Sequence, residues 1–394
     1  MVPLENQFLW VAIIAGGQGT RLFPLSHDNC PKQFCHQDNN NTFIQATIKR
    51  FVEIGVVPSH IVLVTTNENQ TKLAKEQTSL LGILSQNIIE ISPAYGYAGA
   101  MIKASMFIKK LDKHAVVINS PADQYIVSDD NFKQTIKDAI ESASGGSPTI
   151  VGVKVTDLVT VMGCGHAIYD PKEDAVCRKV CGFVEKPDEK QATKLMRGDN
   201  SACNTGINVW KADLVAKLFA GKDLIGEALS TDELMAKFEN LRLAIGTFRW
   251  LDCGTLKSFY EISAKTPNHK NASLGKGEID RTDCRRSLFY AVDGIKLHVA
   301  GIEDSAVLAT VIDDRIVIVS VKLEESQKVR NLAEDYKANK DFLTDDFSVG
   351  ARNNWTMRTN CSSEIRVGFV GVDNFIVYSH KNIDGTFDVA VSQQ

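Results

Sequence analysis

Short apolar runs alternate with longer stretches of helical period through the first 260 residues. Val11-Ala-Ile-Ile14, Ile61–Thr65, Ile88–Ile91, Ala115–Asn119 and Thr149–Val155 are short, unbroken and rich in β-branched residues. That is the pattern of buried strands. Between them, Thr42–Ile54, Asn67–Leu84, Ala98–Leu111 and Asn131–Ala143 read as helices. Thr42 stands as the N-cap of the first, and Gly145-Gly146 stops the last. Asp188–Met196 and Leu229–Leu241 add two helices, and Thr205–Trp210 and Leu243–Phe248 two strands. Strands alternating with helices predict an α/β domain with right-handed crossovers and a mostly parallel sheet. Ligands then gather at the carboxyl ends of its strands.

The pattern changes near residue 265. Ala264–Ser287 is polar and carries Pro267, Asn268, Asn271, Gly275 and Gly277, so it reads as a linker or an excursion between domains. Beyond it, short β-rich runs follow at Leu288–Tyr290, Lys296–Ala300, Ala306–Val311 and Arg315–Val319, with a charged helix over about 323–341. A weak internal repeat relates Gly301–Thr310 to Gly371–Ser379, each preceded by an apolar strand. It suggests stacked β-arches, or else two similar hairpins built on common turn chemistry. The expected domains are 1–265, α/β, and 266–394, smaller and β-rich.

Composition narrows the class. The 394 residues are 44% hydrophobic and 23% charged, with a net charge of −4. That is an ordinary globular balance, and no basic run suggests nucleic acid. Met1–Phe8 lacks the basic and apolar regions of a secretory leader, and no apolar run approaches the roughly 18 residues that a membrane helix needs. The nine cysteines are scattered, without Cys-x-x-Cys spacing. They read as buried thiols in a reducing cytoplasm rather than as a zinc or disulfide framework.

Candidate chemistry starts at the first strand, which runs into Ala15, Gly16, Gly17, Gln18, Gly19, Thr20 and Arg21. The glycines allow a tight turn and close approach of a ligand to the backbone. Successive N–H groups there form an anion cradle, and Arg21 adds a donor fork suited to phosphate. Pro24-Leu25 and Pro31-Lys-Gln-Phe34 follow. This combination resembles the signature of the sugar-1-phosphate nucleotidyltransferases, most closely the mannose-1-phosphate guanylyltransferase branch. Further motifs carry the same resemblance: Ser120-Pro-Ala-Asp123, Phe183-Val-Glu-Lys-Pro187, Asn204-Thr-Gly-Ile207 and Trp250-Leu-Asp-Cys-Gly-Thr255.

The resemblance implies a Rossmann-like nucleotidyltransferase domain followed by a left-handed β-helix-like tail. It implies an enzyme that joins an NTP to a sugar 1-phosphate and releases pyrophosphate, with GTP and mannose 1-phosphate as the expected pair. Nucleotide binding would fall to Ala15, Gly16, Gly17, Gly19, Thr20, Arg21, Tyr97, Ala98 and Asp123. Sugar-phosphate binding would fall to Lys32, Gly165, Glu185, Lys186 and Asn204. Arg21, Lys32, Asp123 and Asp252 would serve catalysis, the two aspartates by holding Mg2+. Two stretches depart from the family. Ser92–Gly99 lacks the acid, arginine and threonine of the guanylyltransferase branch, so the base and sugar stay open. Gly163-Cys-Gly-His166 stands where the family carries tyrosines. Another sugar 1-phosphate or NTP, or a regulatory subunit that only binds nucleotide sugar, is the alternative. Self-association would use exposed strand edges of the β-rich tail.

Overall fold

The computed structural model describes residues 8–17, 22–222, 229–312, 315–329, 367–371, 375–381 and 386–393. It divides into two compact units. One comprises residues up to Gly16 together with Ile44–Leu251, and the other Gly17–Phe43 with the residues from Asp252 onward.

The first unit is built on strands β1 (Leu9–Ile14), β2 (Ile61–Thr65), β3 (Ile88–Glu90), β4 (Val116–Pro121), β5 (Tyr125–Ile126), β6 (Thr149–Val153), β7 (His166–Tyr169), β8 (Cys177–Val184), β9 (Ser201–Lys211), β10 (Arg242–Gly246) and β11 (Trp250–Leu251). Nine of them form one sheet in the order β3-β2-β1-β4-β9-β6-β10-β8-β7, and β5 pairs with β11. The first strand lies between β2 and β4, parallel to both and buried throughout, as its unbroken apolar run requires. The sheet is mixed, not mostly parallel. β9 runs antiparallel between β4 and β6, and β8 is antiparallel to β10. Hydropathy finds β9 and β10 but misses β8, which is buried at Cys177 alone, and it carries no sign of strand direction, which the connections set.

Helices α1 (Phe43–Glu53), α2 (Glu68–Thr78), α3 (Gly96–Leu111), α4 (Asp130–Ser144), α5 (Leu158–Gly163), α6 (Glu189–Arg197), α7 (Ala212–Leu218) and α8 (Thr231–Met235) connect the strands. The small residues Ala98, Gly99, Ala100 and Ala104 lie on the buried face of α3, with Met101, Ile102 and Ile108. The fully buried Trp210 of β9 donates its indole N–H to Ser105 of α3 at 2.9 Å, which satisfies the one polar atom that it takes into the core. Two helices are shorter than their apolar period predicts. α2 ends at Thr78, and the chain turns through Gly82 at φ +75° with Leu80 96% exposed. α8 ends at Met235, while Phe238 and Leu241 still reach the core from the turn after it. Periodicity reported burial there, not helix.

The second unit adds β12 (Ala272–Leu274), β13 (Glu278–Thr282), β14 (Leu288–Ala291), β15 (Ile295–Ala300), β16 (Ser305–Ile312), β17 (Arg315–Lys322), β18 (Val367–Gly371), β19 (Phe375–Lys381) and β20 (Phe387–Gln393), with helix α9 (Leu256–Ile262). The stretch 264–287 is no linker. It already holds β12 and β13, fixed by the buried Asn271, which donates to the Cys284 carbonyl and accepts from the Ser287 amide. Polar turn residues hid two short strands there.

The strands form two sheets, β12-β14-β16-β17-β18 and β13-β15-β20-β19. The runs β12/β14/β16 and β13/β15 stack in parallel, as β-arches do. The pairs β16/β17 and β19/β20 are antiparallel hairpins, which a β-helix lacks. The repeat is visible in the pairing. β15–β16–β17 and β18–β19–β20 each open in one sheet and place a hairpin in the other, and they join through the parallel pairs β15/β20 and β17/β18. Phe289, Leu297, Ile302, Val307, Ile318 and Val389 pack in the core of this unit. The expected helix near 323 starts as a 3-10 turn, Leu323–Lys328, and its continuation from 330 lies outside the described residues. The segment Gly17–Phe43 joins the same unit, where the Phe43 ring meets Phe259 of α9 edge-on at 5.4 Å.

Candidate functional site

In the first unit, backbone pairing brings two of the expected motifs to one sheet edge. The Ala15 amide donates to the Val64 carbonyl at 2.7 Å, and the Ala122 amide to the Ile14 carbonyl at 3.1 Å. Gly16 and Asp123 therefore both follow directly on the carboxyl ends of adjacent parallel strands. Thr66 shows why position 16 is glycine. A Cβ there would lie 2.4 Å from Thr66 Cγ2, and the Thr66 hydroxyl sits 3.1 Å from the Gly16 carbonyl. Gly19, Thr20 and Arg21 lie outside the described residues.

Asp123 is half-buried. Its neighbour Gln124 ties this turn to β9, donating to the Thr205 carbonyl at 2.7 Å and accepting from the Trp250 indole at 3.1 Å. The buried Arg50 guanidinium reaches the Gln124 carbonyl at 3.4 Å, and burial pushes its pKa down to about 10. Tyr97, in the first turn of α3 beside the buried Ala98, donates its hydroxyl to the Gly206 carbonyl at 3.2 Å. Burial, aided by the charge of Asp123, raises the Tyr97 phenol far above its ordinary range, so it stays a neutral donor.

The expected sugar-side residues also meet within this unit. The Asn204 amide donates to the Gly165 carbonyl at 2.8 Å, and Asn204 Oδ1 accepts from the Gly206 amide at 2.9 Å. A Cβ on Gly165 would lie 2.5 Å from Glu185 Oε2, so the glycine makes room for that carboxylate. Glu185 and Lys186 are both exposed and pair at 3.6 Å. Lys186 has φ +42°, in the left-handed region that a side chain occupies only at a cost.

In the second unit, Lys32 belongs to the short 3-10 turn Lys32–Phe34 and is only 4% exposed. Its ammonium donates to the Asp252 carbonyl and lies 5.6 Å from the Phe43 ring centroid. Two motifs 220 residues apart thus touch directly. Next to Lys32, the Gln33 amide donates to the Gly17 carbonyl at 2.9 Å. Asp252 is exposed, and the buried Cys253 after it has φ +50°. Strained backbone beside both Glu185 and Asp252 fits the tendency of strain to collect where function holds a side chain in place.

Asp123 and Asp252 both offer carboxylates with solvent access, the oxygen donors that magnesium takes. Arg50, Thr66 and Gln124 are supports that sequence reasoning missed, and Gln33 was noted only within Pro31-Lys-Gln-Phe34, without its contact. Each acts on a backbone group or a neighbouring glycine, and no motif marks such a contact.

The sequence profile of the nucleotidyl transferase family matches residues 11–269. A mannose-1-phosphate guanylyltransferase of Sinorhizobium fredii is 26% identical over 351 residues, 82% of this chain and 66% of its own length. The alginate biosynthesis protein AlgA of Pseudomonas putida is 25% identical over 327 residues, 76% of this chain and 66% of its own. The chain thus spans just under two thirds of these relatives. A crystal structure from Thermus thermophilus, described as a mannose-1-phosphate geranyltransferase, has a TM-score of 0.68 at 23% identity, covering 84% of this chain and 99% of that one. It shares the fold. With the profile covering the glycine turn, both aspartates and the Glu185-Lys186 motif, the chain belongs to the nucleotidyl transferase family.

Proposed function

We propose that this protein transfers a nucleotidyl group from an NTP to a sugar 1-phosphate and releases pyrophosphate, with GTP and mannose 1-phosphate as its pair. The observation that carries the reading is the buried Lys32 ammonium held on the Asp252 carbonyl, beside the Gln33 bond to Gly17. Here the motif expected to meet phosphate is anchored to the motif expected to hold metal. The names of the curated relatives favour GDP-mannose as product.

The reaction asks little covalent chemistry of the protein. The attacking oxygen of a sugar 1-phosphate is already ionised near neutral pH, so no general base is needed. The protein must bring two polyanions together and stabilise the charge that develops on the α-phosphate and the departing pyrophosphate. Gly16, Gly17, Gly19, Thr20 and Arg21 serve the triphosphate, and Ala15, its amide held on the Val64 carbonyl, fixes the start of that turn. Tyr97 and Ala98 serve the base. Lys32, Lys186, Glu185, Asn204 and the backbone at Gly165 hold the sugar phosphate. Asp123 and Asp252 would hold Mg2+, which when bound offsets phosphate charge.

The test is pyrophosphate release from four NTPs against a panel of sugar 1-phosphates, run on wild type and Asp123→Ala. GTP with mannose 1-phosphate is expected to turn over fastest. The variant is expected to lose at least roughly 100-fold in kcat with an unchanged Tm. Near-normal turnover in the variant would remove the metal role of Asp123. No turnover with any pair, alongside measurable nucleotide binding, would make the protein a binding subunit instead.

A further inference from the structure

Three ligating side chains that have no part in the roles above meet at one point in the first unit. Cys164 sits in the turn between α5 and β7, His166 opens β7, and Cys203 lies on β9 directly opposite His166 in the antiparallel pair. The Cys164 sulfur is 3.6 Å from His166 Nε2, and the Cys203 sulfur 3.7 Å from the same nitrogen. All three ligand atoms lie within 4.8 Å of one another. In a tetrahedral zinc site, with Zn–S about 2.3 Å and Zn–N about 2.0 Å, sulfur and nitrogen stand about 3.5 Å apart. The spacing is therefore close to what the ion needs before any side chain moves.

A fourth donor lies close by, and a shift of about half an ångström would bring it to tetrahedral spacing. The Val161 carbonyl, in the last turn of α5, lies 2.8 Å from His166 Nε2 and 3.9 Å from the Cys164 sulfur. A cavity of about 320 Å³ opens beside the cluster, lined by Lys154, Val161, His166, Asp199 and Cys203 among others, and offers a way in. Two thiols and an imidazole are donors that select zinc-class ions over magnesium. The sequence hides the arrangement because Cys203 is remote from Cys164 along the chain, and only the β7/β9 pairing joins them.

We propose that Cys164, His166 and Cys203 form a binding site for a divalent zinc-class cation, with the Val161 carbonyl as fourth ligand. On binding, the two thiols give up their protons to solvent and the neutral ring takes the tautomer with its proton on Nδ1, which frees Nε2 to bind the cation in place of its contact with the Val161 carbonyl. The ion clamps the α5–β7 turn to β9. Gly165 lies inside that clamp, with its carbonyl on the Asn204 amide and its Cα against Glu185. Resting on the nucleotidyl-transfer reading, the occupied site then steadies the groups assigned to the sugar phosphate.

The probe is Co2+, added to the reduced, chelator-treated full chain. One equivalent is expected to give an intense thiolate-to-cobalt charge-transfer band with visible bands of a tetrahedral ion, both abolished by Zn2+. Cys203→Ser, and the milder Cys164→Ser at a half-buried turn position, are each expected to weaken Co2+ binding at least roughly 100-fold. Cys30→Ser is expected to leave it unchanged, which excludes a second close thiol pair among the described residues, Cys30 and Cys35 with sulfurs 3.8 Å apart. Absence of the band at stoichiometric Co2+, or equal affinity in wild type and Cys164→Ser, would overturn the site. A cobalt band in a protein that turns over no substrate pair would leave the site standing and remove only its link to the sugar phosphate.

Discussion

At the scale of single residues, the contact between Gly16 and Thr66 is the most sharply constrained. With Thr66 Cγ2 only 2.4 Å from a Cβ at position 16, Gly16→Ala forces either the strand end or the threonine to move. Overpacking of this kind costs about 1–3 kcal/mol. Thr66→Ser deletes the offending methyl and keeps the hydroxyl beside the Gly16 carbonyl. A double-mutant cycle in urea is expected to show that Gly16→Ala costs far less when combined with Thr66→Ser than alone. Equal costs in the two backgrounds would show that strain elsewhere in the turn sets the identity of residue 16. At this scale, what could be read from the sequence follows chemical type. Gly16 and Asp123 were legible because they end apolar runs and belong to motifs. The contact of Gln33 was not, since its partner is a backbone carbonyl. The Cys164, His166 and Cys203 cluster was not legible either, since register across two strands creates it.

At the scale of elements, α6 is the one whose start can be tested most cleanly. Asp188 Oδ1 accepts from the Gln191 amide at 2.8 Å, and Gln191 Oε1 accepts from the Asp188 amide at 3.2 Å, a complete capping box just after Glu185-Lys186-Pro187. Asp188→Ala is expected to cost about 1 kcal/mol in thermal or chemical denaturation, and Asp188→Asn to keep most of that stability, because asparagine caps as well as aspartate. If asparagine proves as costly as alanine, charge rather than hydrogen bonding anchors the helix. Elements with one apolar face or an unbroken apolar core were legible, α4 and β1 among them. α8 was not, because Phe238 and Leu241 are buried from a turn and extend a helical pattern past the helix. The direction of β9 was not legible for a related reason: burial is the same whichever way a strand runs.

At the scale of the whole molecule, the turns of the second unit contribute one ion-paired group to its response to acid. Arg286 grips Asp304 with two hydrogen bonds of 2.7 Å and reaches Glu303 at 2.7 Å, tying one turn to the next. The bonds from Arg286 hold the Asp304 carboxyl below its usual range. A carboxylate lowered in the folded state adds stability above its unfolded value near 4, and loses it as pH falls through the folded one. The gap in urea midpoint between wild type and Arg286→Ala is therefore expected to be present at pH 7 and to shrink on descent toward pH 3. A gap that holds or widens on acidification would refute the assignment. Much of the β-rich half was legible as strands and as a repeat. That Gly17–Phe43 belongs with it was not, since nothing in that segment's composition departs from its surroundings.

That return of Gly17–Phe43 also dictates an order of events. The second unit is discontinuous along the chain, and residues 44–251 are inserted within it. While the insert is unfolded, bringing Lys32 to Asp252 and Phe43 to Phe259 means closing a loop of that whole length, at an entropic cost of about 5 kcal/mol. Folding of the nine-stranded sheet removes most of that cost, because it fixes the separation of the points where the chain enters and leaves it. The Lys32–Asp252 contact is therefore expected to form after the α/β unit folds, which a φ-value near zero for a Lys32 variant would check.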